Sequence, residues 1–327
     1  MRAMPAERGA TVELREVSKR YPGQLAVDRL SFSVPAGRIC VLLGPSGSGK
    51  TTTLKMVNRL IEPSDGAILI DGRNVLEEEA TLLRRRIGYV IQQVGLFPHQ
   101  VVADNVATVP RLLGWPSERI AKRTTELLTL VGLEPARFAR RYPAQLSGGE
   151  RQRVGVARAL AAEPPVMLMD EPFGAVDPIV RDRLQQEFLR IQRDQGTTVL
   201  FVTHDIDEAI RLGDRIAIMR GGKLVQYAPP AELLAHPAND FVAEFLGPDR
   251  GLKGLSVLTL GGAELDTSVA RADVAPGTPV LPPSATLRDA LIAMLANDAQ
   301  QVVVEDAGSY RGVLTLRKIG QIVRGEA

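Results

Sequence analysis

Gly44-Pro45-Ser46-Gly47-Ser48-Gly49-Lys50-Thr51 has the form G-x-x-x-x-G-K-[ST]. Its glycines leave backbone N–H groups free to wrap a phosphate chain. Lys50 supplies a point charge for the β/γ-phosphates, and the Thr51 hydroxyl can reach Mg²⁺. The bland alternative is a flexible Gly/Ser turn. The flanks argue against it. Arg38 to Leu43 is an apolar run with β-branched members, suited to a buried parallel strand. Thr51 to Arg59 can form a helix whose N-terminal N–H groups and dipole face the phosphates. Strand, glycine loop and helix together predict a nucleotide site.

Working outward, Leu146-Ser147-Gly148-Gly149-Glu150 is a glycine pair opened by a serine and closed by an acid. Ser147 with Glu150 three residues on predicts a capping box at a helix start. Upstream, residues 11–36 alternate apolar and polar positions (Val12, Leu14, Val17, then Leu30, Phe32, Val34), as in an antiparallel pair with one wet face. Gly66 to Gly72 reads as a short strand ending in a turn. Residues 93–145 fit helices through Leu112, Leu113, Ile120, Leu127, Leu128, Leu130 and Val131, with Pro110, Pro116 and Pro135 as breaks. Pro165 to Met169 and Thr197 to Thr203 are buried-strand patterns, and Val180 to Asp194 has helical spacing. Strands alternating with helices around a glycine loop predict a parallel α/β core.

Ligands of such a sheet sit outside the carboxyl ends of its strands. Three of those ends carry the glycine loop, Asp170-Glu171 and His204. Asp170 is the expected Mg²⁺ carboxylate, against the alternative of a helix-start cap before Pro172. Glu171 can orient and deprotonate a water, or serve as a solvated rim carboxylate. His204 is either a site residue or a polar cap on a loop.

The 327 residues suit two domains. Hydrophobic content of 45% and charged content of 24% fit a soluble globular protein. A net charge of +2 gives no excess of the kind nucleic-acid binding needs, so no nucleic-acid partner is expected. The single cysteine, Cys40, lies in an apolar strand and reads as a core residue. Met1 to Gly9 lacks a secretory h-region, and no uncharged apolar stretch approaches the ~20 residues that span a bilayer. The run from Val274 to Leu287 carries Pro276, Pro279, Pro282 and Pro283, which exclude a membrane helix.

Over residues 11–247 the chain resembles the ABC-type ATPases, the nucleotide-binding subunits of ATP-driven transporters; Leu146 to Arg153 matches that family's signature motif. The resemblance implies a P-loop NTPase fold with a parallel core sheet, an antiparallel β subdomain and a helical insert at about 93–160. It implies ATP and Mg²⁺ as cofactors. ATP contacts fall on Tyr21 (an aromatic stacking on adenine), Gly44, Pro45, Ser46, Gly47, Ser48, Gly49, Lys50, Thr51, Thr52 and Gln92. Ser147, Gly148, Gly149 and the D-loop Asp177 complete the set, and Mg²⁺ falls to Thr51, Gln92 and Asp170. Catalysis is assigned to Glu171 as general base, His204 as the switch histidine, Gln92 as the Q-loop glutamine and Lys50; Gln93 is the alternative to Gln92. Gly174 and Val176 depart from the Ser-Ala-Leu-Asp more common in the D-loop.

The signature start is implied to close on the opposite subunit's nucleotide, giving a homodimer with two ATP molecules sandwiched between the chains. Transmembrane permease subunits, and indirectly a solute-binding protein, are the implied partners, at the cytoplasmic face of the cell membrane. Residues 84–115 resemble the ATPases of bacterial osmoprotectant importers, which take up glycine betaine, carnitine, choline or proline. The alternatives are an importer or exporter for another solute and a soluble non-transport ABC ATPase. Residues 272–327 resemble one CBS module, a small α+β domain, with Thr286 capping a helix whose apolar face is Leu287, Ala290, Leu291, Met294 and Leu295. Residues 248–271 are a linker or a degenerate partner module. The tail either holds the dimer together or responds to ionic strength or a nucleotide.

Overall fold

The structure is a computed structural model that describes residues 9–92, 95–174 and 176–324. The chain divides into two compact units, one up to Tyr227 and one from Ala228.

The first unit opens with β1 (Val12–Tyr21) and β2 (Gln24–Val34), an antiparallel hairpin in which Val12 faces Val34. Then come β3 (Ile39–Leu43), α1 (Lys50–Val57), β4 (Asp65–Ile70) and the short β5 (Arg73–Asn74). β4 pairs antiparallel with β1, so the first sheet runs β2-β1-β4-β5. The Glu79 carboxylate caps α2 (Ala80–Arg85) by accepting from the N–H groups of Thr81 and Leu82, and β6 (Ile87–Val90) follows. The helical insert comprises α3 (Val102–Leu112), α4 (Ser117–Leu130), α5 (Pro135–Phe138) and α6 (Gly148–Leu160). Beyond it lie β7 (Val166–Asp170), α7 (Pro178–Gln195), β8 (Thr198–Val202), α8 (Ile206–Leu212), β9 (Arg215–Arg220) and β10 (Lys223–Ala228).

The second sheet has the order β10-β9-β3-β8-β7-β6, with parallel pairing from β9 through β6. Every residue of β3, β7 and β8 is buried. That is why these strands read as unbroken apolar runs rather than alternating ones. Cys40 is fully buried there, and burial pushes its thiol up to about 12.

Pro110, expected as a break, sits buried inside the last turn of α3. A proline costs a helix one N–H bond there, and the chain ends the helix within the same turn, where Leu113 N–H still donates to Val109. Pro116 and Pro135 do sit at helix starts, before α4 and at the first position of α5.

The second unit contains α9 (Pro230–Ala235), α10 (Asp240–Leu246), α11 (Arg250–Gly254), β11 (Val280–Leu281), α12 (Leu287–Ala296), β12 (Gln301–Asp306), β13 (Ser309–Thr315) and α13 (Leu316–Arg324). β12 pairs antiparallel with β13 and parallel with β11. The two units meet at 227, with α9 packed on α11, while the expected ATPase domain runs to 247. The segment expected as a linker or degenerate module buries Leu255 and Leu260 in one cluster with Leu287, Met294, Val302 and Ile319. Its strandlike contacts are two isolated bridges, Thr259 with Thr286 and Asp266 with Val313. Thr286 caps α12 as expected, with Asp289 completing the box. Leu295, expected on the apolar face, is 70% exposed. The core takes Leu287, Ala290 and Met294, and Leu295 lies past the edge of that stripe.

Candidate functional site

The glycine loop leaves β3 at Leu43 and enters α1 at Lys50. Gly44 has φ 153° and Gly49 has φ 101°, conformations that side chains rarely adopt. A Cβ on Gly44 would lie 2.2 Å from the Met219 carbonyl oxygen, and one on Gly49 would lie 2.6 Å from that of Ala26. The loop thus needs glycine twice for space as well as for φ. Pro45, Ser46 and Gly47 are exposed at its tip, Ser48 is buried, and Thr52 is half-buried in the first turn of α1.

Lys50 is buried, and its Nζ donates to the carbonyls of Gly44 (2.7 Å) and Pro45 (2.9 Å). Burial pulls its pKa down, while the Glu171 and Asp170 carboxylates oppose the fall. Thr51 Oγ1 donates to Asp170 Oδ1 at 3.1 Å. Burial holds the Asp170 carboxyl above its ordinary value, the Thr51 hydrogen bond works against this, and the neighbouring Glu171 charge adds to it.

Glu171 follows β7 with φ 49°, a left-handed conformation uncommon outside glycine. Its Oε1 lies 3.0 Å from His204 Nδ1, and its Oε2 accepts from Gln92 Nε2 at 3.1 Å. β3, β8, β7 and β6 are adjacent in the sheet. Their carboxyl ends deliver, in that order, the glycine loop, His204, Asp170-Glu171 and Gln92. Four neighbouring parallel strands therefore discharge their chemistry at one edge. Gln93 lies outside the described residues.

Thr51 and Asp170 offer a hydroxyl and a carboxylate side by side, oxygen donors of the kind Mg²⁺ takes when phosphates supply the rest of its shell. Among the described residues no group of three or more His, Cys, Asp or Glu forms a metal cage. A metal arriving with a phosphate-bearing substrate fits these residues better than a resident ion does.

Ser147 opens α6 as its N-cap: Glu150 N–H donates to Ser147 Oγ (3.2 Å), and Ser147 N–H donates to Glu150 Oε2 (2.7 Å). Ser147 and Gly148 are exposed, and a Cβ on Gly148 would meet nothing within 4 Å. The helix start is open for an anion to approach its N–H groups. Asp177 precedes α7 and is exposed; Ala175 lies outside the described residues. Tyr21 ends β1, 42% exposed, with the Lys19 ammonium 5.2 Å from its ring centre. Of the other hairpin strand, β2, Ala26 and Val27 come within reach of the loop, at Gly49.

One contact escaped sequence reading. Gln152 is buried, and its Nε2 donates to the Glu171 carbonyl at 2.8 Å. The available signal is a glutamine at helical spacing from Val156 and Ala159, on the face of α6 that is buried.

A family model described as ABC transporter matches residues 27–174. The osmoprotectant import ATP-binding protein OsmV of Salmonella typhimurium is 51% identical over 292 residues, covering 89% of this chain and 74% of that protein. The glycine betaine/carnitine/choline transport ATP-binding protein OpuCA of Bacillus subtilis is 55% identical over 240 residues, covering 73% of this chain and 63% of that protein. The glycine betaine uptake system ATP-binding protein YehX of Escherichia coli is 48% identical over 304 residues, covering 93% and 97%. Among solved structures, the dimeric ATP-binding cassette MJ0796 bound to ADP and Pi superposes with a TM-score of 0.63 at 34% identity, covering 67% of this chain and 98% of that one.

Proposed function

The chain belongs to the ABC transporter ATP-binding family, and from that premise we propose that it hydrolyses ATP to drive import of a quaternary-amine osmoprotectant through separate transmembrane subunits. The observation that carries the hydrolytic reading is the Glu171 carboxylate, flanked by His204 and Gln92 beside Lys50 and Asp170. Lys50 and the loop N–H groups hold the phosphates of MgATP, and Thr51, Asp170 and Gln92 meet its metal. Glu171 takes the proton from the attacking water, and His204 neutralises charge growing on the γ-phosphate. Phosphoryl transfer asks little covalent chemistry of a protein, so these residues act by position and charge. Tyr21 stacks on adenine.

Ser147, Gly148 and Gly149 act on the nucleotide of a second copy, with Asp177 between the two sites. The open α6 N-terminus supports this division, as does the dimeric state named for the cassette MJ0796. No helix among the described residues is long and apolar enough to cross a membrane. In this reading the chain docks to permease subunits at the cytoplasmic face. The solute class rests on the relatives named above. Uptake of labelled glycine betaine, choline, carnitine and proline in cells lacking this chain tests it. Unchanged uptake of all four sinks the osmoprotectant reading.

Residues 272–327 are read as a single CBS module, supported by α12, the β12–β13 pair and α13. A cavity of about 1210 Å³ in the second unit, bordered by Arg250, Lys318, Leu258 and Ile322, favours a regulatory role over a purely structural one. Alanine at Arg250 and Lys318 should blunt the response of transport to ionic strength or nucleotides. An unchanged response returns this unit to a structural role.

A further inference from the structure

We propose that Gln152 is a positioning residue for Glu171, joining the helix that opens at Ser147 to the hydrolytic carboxylate of the same chain. The inference rests on the reading of Glu171 as general base.

Glu171 occupies a left-handed conformation, φ 49°, which a non-glycine residue holds only when its surroundings determine it. Three hydrogen bonds fix its peptide groups. Its N–H donates to the Val202 carbonyl on β8 (3.0 Å), and its own carbonyl accepts from Gly174 N–H (3.2 Å) and from Gln152 Nε2 (2.8 Å). The first two bonds come from backbone and survive most substitutions. The third is a side-chain bond, the shortest of the three, and originates on α6. Gln152 is 4% exposed, so water cannot readily replace its amide.

The bond has a directional consequence. Ser147 and Gly148 open α6, and Gln152 lies just over one turn further along the same helix. A phosphate drawn to the helix start pulls on a rigid rod, and Gln152 carries that displacement to the Glu171 backbone. The Glu171 carboxylate turns with its backbone relative to His204 and Gln92. Occupation of the partner's nucleotide site is thereby read at this chain's own. Gln152 touches no substrate and acts only through Glu171.

The test uses the full chain with Gln152→Leu, which keeps the volume and removes the donor, and Gln152→Met as an unbranched second variant. Steady-state hydrolysis of MgATP should show kcat about 10-fold lower with KM within twofold, equivalent to about 1.4 kcal/mol of transition-state stabilisation. The same substitution placed on Glu171→Gln should cause no further loss of residual turnover, because the group it positions is already gone. Wild-type kcat in the single variant overturns the proposal. So does an equal fractional loss with and without Glu171, or failure of both variants to fold, each of which marks Gln152 as a packing element only. Glu171→Gln alone reports on the underlying reading: full turnover there removes Glu171 from hydrolysis, and the proposal with it.

Discussion

Glu171 Oε1 stands 3.0 Å from His204 Nδ1 while the other carboxylate oxygen takes the Gln92 amide. The His204 side chain is 69% exposed and that of Glu171 is 24% exposed, so a half-buried carboxylate faces a solvent-accessible imidazole. In the proposed mechanism this geometry divides the labour: the carboxylate is oriented by two partners, and the exposed imidazole exchanges one of them for a phosphate.

Glu171→Gln should therefore lower kcat by about 10²-fold or more and leave ATP affinity in place, since general-base contributions run at roughly 10²–10⁴. Phosphate release and nucleotide-binding titration check the two halves. His204→Ala should lose turnover by about 10²–10³-fold, the scale of removing one preorganised charge-stabilising group.

Asp170→Asn keeps the hydrogen bond from Thr51 but removes the charge proposed to meet Mg²⁺. Hydrolysis should shift to higher Mg²⁺ concentration by about 10-fold or more. EDTA should abolish turnover without unfolding the chain, because the metal travels with the nucleotide. Circular dichroism in EDTA checks the second point.

Ser147→Arg places a long side chain at the open start of α6. In the Glu171→Gln background, the MgATP-dependent dimer should be lost in size-exclusion chromatography while ATP binding to the single chain persists. Turnover in the otherwise native chain should fall by about 10²-fold, as for loss of an anion-stabilising group.

Glu208 gives a pH signature. Burial holds its carboxyl above the ordinary value of 4.5, partly offset by hydrogen bonds from Thr203 and Gln185. The folded state thus binds this proton more tightly than the unfolded state does. Stability from this group is full below about 4.5 and is lost as pH rises through the folded value. Glu208→Gln keeps the acceptor for Gln185 and has no charge to bury. Its denaturation midpoint relative to the parent chain should rise between pH 4 and pH 8, and a flat difference would contradict the shift.

Leu260 is fully buried in the cluster of the second unit. Leu260→Ala should destabilise that unit by about 2–5 kcal/mol, as for other buried leucines. Were residues 248–271 a linker, the substitution would be nearly silent in thermal melting.

Much of the site was legible because its parts are local. The strand before Gly44, the loop and the helix after Lys50 are contiguous, and the Ser147–Glu150 box spans one turn. Burial of β3, β7 and β8 on both faces removes alternation and leaves apolar runs that mark buried strands. Pro110 misled because a proline in a last turn ends a helix as readily as it breaks one. Leu295 misled because helical spacing gives the stripe but not its width.

By itself the amino-acid sequence determined the elements and the chemical groups, since hydrophobic period, capping and glycine spacing act over a few residues. Only the tertiary structure decided which groups meet. Gln92 and Glu171 are 79 positions apart, and Gln152 reaches a carbonyl 19 positions away. Those meetings follow from a sheet order that sets β8 between β3 and β7, with β6 beyond β7. Strand order is settled by long-range pairing and burial, which no short pattern encodes. The same holds for Leu255 and Leu260, whose burial depends on α12 and β12 supplying the other walls of the core.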